Sequence, residues 1–354
     1  MRKCVCGFVL RATIGCAAGL VALWVFAGAP AKAGERNFEA GQQTQTPPNP
    51  QQSQMAPEVR ALVAQMPKLM NGTVEQIPPS DADPQIKRFN QPNIVAYHTD
   101  AKSDAPLLVW FSGTGGTPIT GWLFIKAAAD AGYRVIGLMY DNGVSDPQTC
   151  GPNPDPACSD RFRQKRVFGD DVSKDIDDLP AESVVNRLAK LLQYLDARHP
   201  GKGWAQYLNN GEPNWPRIAV AGHSQGGGVA AYIAKKKPVY RVINLSGVWD
   251  RTEQGAKDWA PWITSTSVTP MDRWYCAYHA KESNAVPMKA AYAIMNVPPD
   301  HIRVLTLEPI PQASSPPGGD AYHGSMISER STPRDANGEP AYAADWAFML
   351  GAPR

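Results

Sequence analysis

"RIAVAGHSQGGGVAAYIAKKK", residues 217–237, decides the fold. An apolar run ends in Gly-His-Ser-Gln-Gly and resumes at once as an Ala-rich helical segment. Glycine at that density is costly inside a helix or a strand, so the junction needs it. A serine on a sharp strand-to-helix turn is such a need. Its backbone is strained, and its neighbours approach so closely that the positions two before and two after must be small, which gives Gly-x-Ser-x-Gly. Here they are Gly222 and Gly226, around Ser224. In an α/β sheet, ligands sit at the carboxyl ends of strands. The helix that follows adds backbone N–H donors and a positive dipole end. The pentapeptide alone is a weak signal, since a plain Gly-rich turn also matches it. The strand before and the helix after are what give it meaning.

Outward from the turn, the pattern alternates. Upstream, NIVAYH (93–98), LLVWF (107–111) and RVIGLMY (134–140) read as strands. A helix is expected around 121–131, and 181–199 has clear 3.6-residue apolar spacing. Downstream, RVINLSG (241–247), RWYCAYH (273–279) and IRVLTLE (302–308) read as strands. Helical stretches are expected near 225–236, 253–263 and 284–296, and a closing helix in 340–351. Strands alternating with helices imply a mainly parallel sheet covered on both faces, an α/β fold. The domain is expected over 56–354. It starts with a short amphipathic helix interrupted at Pro67, and 141–179 forms a long loop inserted after the fourth strand.

The first 33 residues read as a secretory signal: a basic start, an uncharged stretch from Ala12 to Ala31, and Ala-Lys-Ala before a cut after Ala33. The competing readings are an uncleaved anchor and, less favoured, lipidation at Cys16. Residues 34–55 are rich in Gln, Pro and Asn and read as a disordered linker. The chain carries 35 basic and 33 acidic side chains, a net charge of +2. That balance gives no electrostatic case for a nucleic acid or an anionic membrane surface. No stable membrane partner is expected after signal cleavage, and the chain is expected to be secreted or periplasmic. In an oxidising compartment Cys150 and Cys158, bracketing a Pro/Gly loop, are expected to form a disulfide. Cys276 reads as a buried inert thiol. No Cys/His spacing suggests a metal site.

On the Gly-x-Ser-x-Gly turn in this setting, residues 90–350 resemble the α/β-hydrolase superfamily, in a branch of secreted bacterial serine hydrolase-like proteins. The resemblance implies a nucleophile after the fifth strand, an acid usually after the seventh and a histidine after the eighth. Laid on this chain, those strands are 217–223, 273–279 and 302–308. Of the six histidines, His323 in GGDAYHGSM lies after the eighth strand, where Gly318, Gly319 and Gly324 would let the loop fold back. His223 would point away from the mouth of the turn. Glu282 is the only carboxylate just after the seventh strand and is the preferred acid. Asp250, at the end of the sixth, is the alternative, and Asp320 a weaker third. FSGTGGTP (111–118) resembles a His-Gly-type oxyanion loop with Ser112 in the place of the His. The N–H groups of Thr114 and Gln225 are the expected oxyanion donors. Gly-Thr-Gly-Gly lacks the endings of nucleotide-binding loops.

The expected activity is cleavage of a small-molecule or polymer ester through a Ser-His-acid triad and an acyl-enzyme, without metal or organic cofactor. A peptidase or amidase with the same triad is one alternative. A binding protein that kept the fold and lost turnover is another. The ten tryptophans, several in 249–262, fit either a cleft lining or ordinary packing.

Overall fold

The computed structural model describes residues 61, 64–66, 70–251, 258–311 and 320–351. They lie within the unit Asn49–Arg354. The expected signal and linker, Gly318 and Gly319, and most of the first amphipathic helix lie outside the described residues.

Eight strands form the main sheet. They are β1 (Gly72–Ile77), β2 (Asn93–His98), β3 (Leu107–Phe111), β4 (Arg134–Leu138), β5 (Ile218–His223), β6 (Arg241–Leu245), β7 (Trp274–His279) and β8 (Ile302–Leu305). Their order is β1-β2-β4-β3-β5-β6-β7-β8. β2 pairs antiparallel with both β1 and β4, and the other pairings are parallel. The fold is therefore the mainly parallel α/β sheet expected. The central strands β3 and β5 are buried throughout, as parallel strands covered on both faces must be. β1 escapes the sequence reading because GTVEQI is polar and half-exposed, with only Ile77 buried. As an edge strand it has one side to satisfy.

The longer helices are α1 (Trp122–Asp130), α2 (Cys158–Phe168), α3 (Val184–Arg198), α4 (Gln225–Lys236), α5 (Ala285–Ile294) and α6 (Ala343–Leu350). Side-chain alternation along a strand feeds opposite layers. Leu107, Val109 and Phe111 of β3 join the core under α3, α4 and α5. Leu108 and Trp110 join the core under α1 and α6. Helix α3 turns Leu188, Leu191, Leu192 and Leu195 inward, each worth roughly 1.5–3 kcal/mol on full burial. Its start is capped by Ser183, whose Oγ accepts from the Asn186 N–H at 3.3 Å.

The segment 141–179 is not the long loop expected. It holds the short helix Asp146–Thr149 and then α2. Apolar periodicity misses α2 because its buried face carries charge: Arg163, Lys165 and Arg166 lie inside with Phe162 and Val167. Each finds a partner. Arg163 pairs with Asp250 and Arg166 with Asp178, while Lys165 Nζ donates to the Ser173 carbonyl. A disulfide joins Cys150 to Cys158 at the start of α2. Cys276 is a buried free thiol whose pKa burial pushes up. Among the described residues, no helix is long and apolar enough to cross a membrane.

Candidate active site

Ser224 stands between β5 and α4 with φ 57° and ψ −123°, a conformation that a non-glycine residue keeps only when its surroundings enforce it. Its N–H donates to the Leu245 carbonyl of β6 at 2.9 Å, and its carbonyl accepts from the Gly228 N–H at 3.2 Å. A Cβ at Gly222 would lie 2.2 Å from the Gly226 carbonyl oxygen, and one at Gly226 2.1 Å from that of Phe111. Both clashes are with backbone, which no side-chain movement relieves. The glycine spacing is thus a packing requirement of the turn.

The loop after β3 packs directly on this turn. A Cβ at Gly113 would sit 3.0 Å from that of Ser224. The loop is held from behind by residues at the end of β4. Tyr140 OH donates to the Ser112 carbonyl at 2.7 Å. Asn142 Nδ2 donates to the carbonyls of Gly113 and Gly116 at 2.7 and 2.8 Å. Gly115 N–H is taken by the Asn142 carbonyl, and Gly116 N–H by that of Gly113. The N–H groups of Thr114 and Gln225 enter no hydrogen bond among the described residues. Gln225 is the first residue of α4, where an N–H has no partner within the helix. The Thr114 hydroxyl donates to Gln225 Oε1 at 2.8 Å, linking the two donors' residues.

His323 and Glu282 meet on the other side. His323 Nδ1 and Glu282 Oε2 are 2.6 Å apart. The Glu282 carboxylate is fully buried, and its second oxygen accepts from Ser246 Oγ at 2.8 Å and the His279 N–H at 2.7 Å. With both oxygens engaged, its orientation is fixed. Asp250 is placed elsewhere. It is buried and receives Arg163 Nε at 2.6 Å, Arg163 Nη2 at 2.8 Å and Trp262 Nε1 at 3.0 Å. Asp320 accepts from the backbone N–H of His323 and of Ser283, so it ties the histidine loop to the glutamate loop without touching the imidazole.

His223 is buried, and its Nε2 lies 2.9 Å from the His323 carbonyl oxygen. A carbonyl only accepts, so Nε2 carries the proton. Burial, and then the neighbouring His323, hold its pKa well below the usual histidine range, so it is a neutral donor that pins the His323 backbone. The two rings are 4.5 Å apart. No hydrogen bond joins Ser224 Oγ to His323 Nε2 among the described residues. Such bonds are often slack without substrate and tighten with it.

A cavity of about 100 Å³ opens beside Ser224, lined by Thr114, Asp146, Arg163, Trp249 and Asp250 among others. Trp249 also meets the His323 ring edge-on at 5.8 Å. Among the described residues no three His, Cys, Asp or Glu side chains are grouped to hold a metal ion.

Sequence reading missed the bracing roles of Tyr140, Asn142 and His223. Each acts on a loop carbonyl, which leaves no motif. Their only signal is position, at the carboxyl ends of β4 and β5.

No family model and no curated protein matches the sequence. Among solved structures, a bacterial heroin esterase is 14% identical with a TM-score of 0.41, covering 83% of this chain and 89% of its own. Thermogutta terrifontis esterase 2 phosphoramylated by tabun is 12% identical with a TM-score of 0.40, covering 79% and 96%. A putative dienelactone hydrolase from Klebsiella pneumoniae subsp. pneumoniae is 15% identical with a TM-score of 0.37, covering 78% and 98%.

Proposed function

We propose that this chain is an exported serine hydrolase of the α/β-hydrolase type that cleaves carboxylic esters. Ser224 Oγ attacks the acyl carbon. His323 takes its proton and then delivers it to the leaving alkoxide. Glu282 fixes the tautomer of His323 and stabilises the imidazolium. The N–H groups of Gln225 and Thr114 hold the oxyanion, and water then cleaves the acyl-enzyme. The observation that carries this reading is the buried Glu282, bonded to His323 at 2.6 Å in the loops that flank the strained Ser224. The disulfide fits export, as does the expected signal at 1–33 with its cut after Ala33.

A fluorophosphonate probe and a panel of p-nitrophenyl esters of increasing chain length test it. Ser224→Ala should abolish both labelling and turnover while the protein stays folded. Undiminished labelling of that variant would move the nucleophile elsewhere. A wild-type protein that neither labels nor turns over any ester would favour a binding protein on this fold.

A further inference from the structure

Asp146 has no part in that reaction, yet it lines the cavity beside Ser224. It is fully buried, and neither carboxyl oxygen has a partner in hydrogen-bonding geometry; the nearby Ser159 hydroxyl donates to Asp250 instead, at 3.3 Å. Buried carboxyls are ordinarily paired, so one left unanswered on a cavity wall points to a ligand.

The neighbouring charges indicate which kind. Arg163 is committed to Asp250 through two bonds. Arg166 is shared between Asp178 and Asp141, and Arg88 also closes on Asp141. The guanidinium groups of Arg88, Arg163 and Arg166 thus face the carboxyls of Asp141, Asp146, Asp178 and Asp250, and Asp146 is the one left over. Burial, and then the charge of Asp250, push its pKa up to about 8 against the pull of Arg163, the Ser159 hydroxyl and Arg166. Near neutral pH it is held mostly uncharged for want of a counterion. A cation in the cavity would supply one.

Two further side chains on the same wall fit a polar ligand. Trp249 offers an aromatic ring to a cation. Gln225 Nε2 is buried without a partner and can donate to an acceptor. His323 is not on this wall. A leaving group must take its proton from His323, so the cavity belongs to the acyl side. About 100 Å³ suits a short group of a few heavy atoms.

Building on the ester-hydrolase reading, we propose that this cavity binds an acyl group bearing a protonated amine, whose ammonium pairs with the Asp146 carboxylate while Gln225 donates to an acceptor on the same group. The substrates are then aminoacyl esters in the broad sense.

The test compares p-nitrophenyl 3-aminopropanoate with p-nitrophenyl butanoate, which have equal heavy-atom counts. Wild-type kcat/KM should favour the amino ester by roughly tenfold or more, as a charge-assisted hydrogen bond allows. The preference should lie mainly in KM. In Asp146→Asn the ratio should fall to about one. Equal wild-type values, or a ratio unchanged in the variant, overturn the proposal. Calorimetric binding of the same esters to Ser224→Ala separates it from the hydrolase reading. If wild type cleaves neither ester, amine-selective binding would still support the cavity and equal binding would overturn it. The wild-type ratio and the Ser224→Ala binding need no change at Asp146, so they decide the matter even if Asp146→Asn does not fold.

Discussion

Glu282 and Asp250 are both buried carboxylates near strand ends, and their partners give them different consequences. Glu282→Gln removes the acceptor that fixes the His323 tautomer, and kcat should fall by about 10⁴-fold with folding intact. Asp250→Asn instead breaks the two-bond pair with the buried Arg163 guanidinium, which should cost about 3–5 kcal/mol in urea denaturation, less what Asp146 recovers by ionising beside it. The opposite pattern would make Asp250 the partner of the histidine. Asp146 gives a third expectation. Its folded pKa of about 8 lies above the ordinary aspartate value of 3.8. Between those values the native state holds a proton that the unfolded chain has lost, so its contribution to stability falls as pH rises through that window. Asparagine does not titrate. The Tm of Asp146→Asn relative to wild type should therefore climb from pH 4 to pH 8 and then level off, and a flat difference would refute the assignment. At this scale, the tight turn at Ser224 and the loop packed on it were legible because glycines record backbone crowding. Strand order favoured Glu282 over Asp250, but residue order alone does not show that α2 delivers an arginine to Asp250.

Helix α2 shows why one element was hidden. Periodicity detects apolar stripes, and this helix buries Arg163, Lys165 and Arg166 against carboxylates and carbonyls instead. Its other unusual neighbour is Gly228 of α4, where an added Cβ would lie 2.4 Å from an Arg163 guanidinium nitrogen. The last of the three consecutive glycines therefore makes room for the arginine, not for the turn. The disulfide fastens α2 to the short helix that begins at Asp146, so it joins two parts of the cavity wall. A separation of eight residues closes a small loop, and replacing both cysteines by alanine should cost only about 2–3 kcal/mol. The larger effect should be on KM for esters. Unchanged KM values after replacement would leave the bridge with a purely local role.

Across the whole molecule, the parallel strands β3 to β8 and the covering helices other than α2 were readable, since strands buried on both faces, as β3 to β7 largely are, appear as short apolar runs bounded by glycine and proline. The polar edge strand β1 was not, because an edge needs little apolar surface. The two core layers meet only through the sheet, so the site at its carboxyl edge draws on both. The turn at Ser224 is pressed by β3 from one side and braced by β6 from the other. The histidine loop is anchored to β5 through His223 and to the acid loop through Asp320. Such a site depends on the register of six strands, β3 to β8, and none of its groups is a local unit.

The Cys150–Cys158 bridge also has a consequence for the covalent chain. Three Asp–Pro bonds occur in the sequence, Asp83–Pro84, Asp146–Pro147 and Asp155–Pro156. The aspartyl carboxyl assists hydrolysis of such bonds in warm dilute acid. Only Asp155–Pro156 falls inside the ring closed by the disulfide. Scission there should add one water to the intact mass and release nothing until a reductant is added, whereas scission at the other two should free fragments at once. Mass spectra taken before and after reduction would therefore read the state of the bridge from the fragments alone, and early release of a piece beginning at Pro156 would mean that the ring was open.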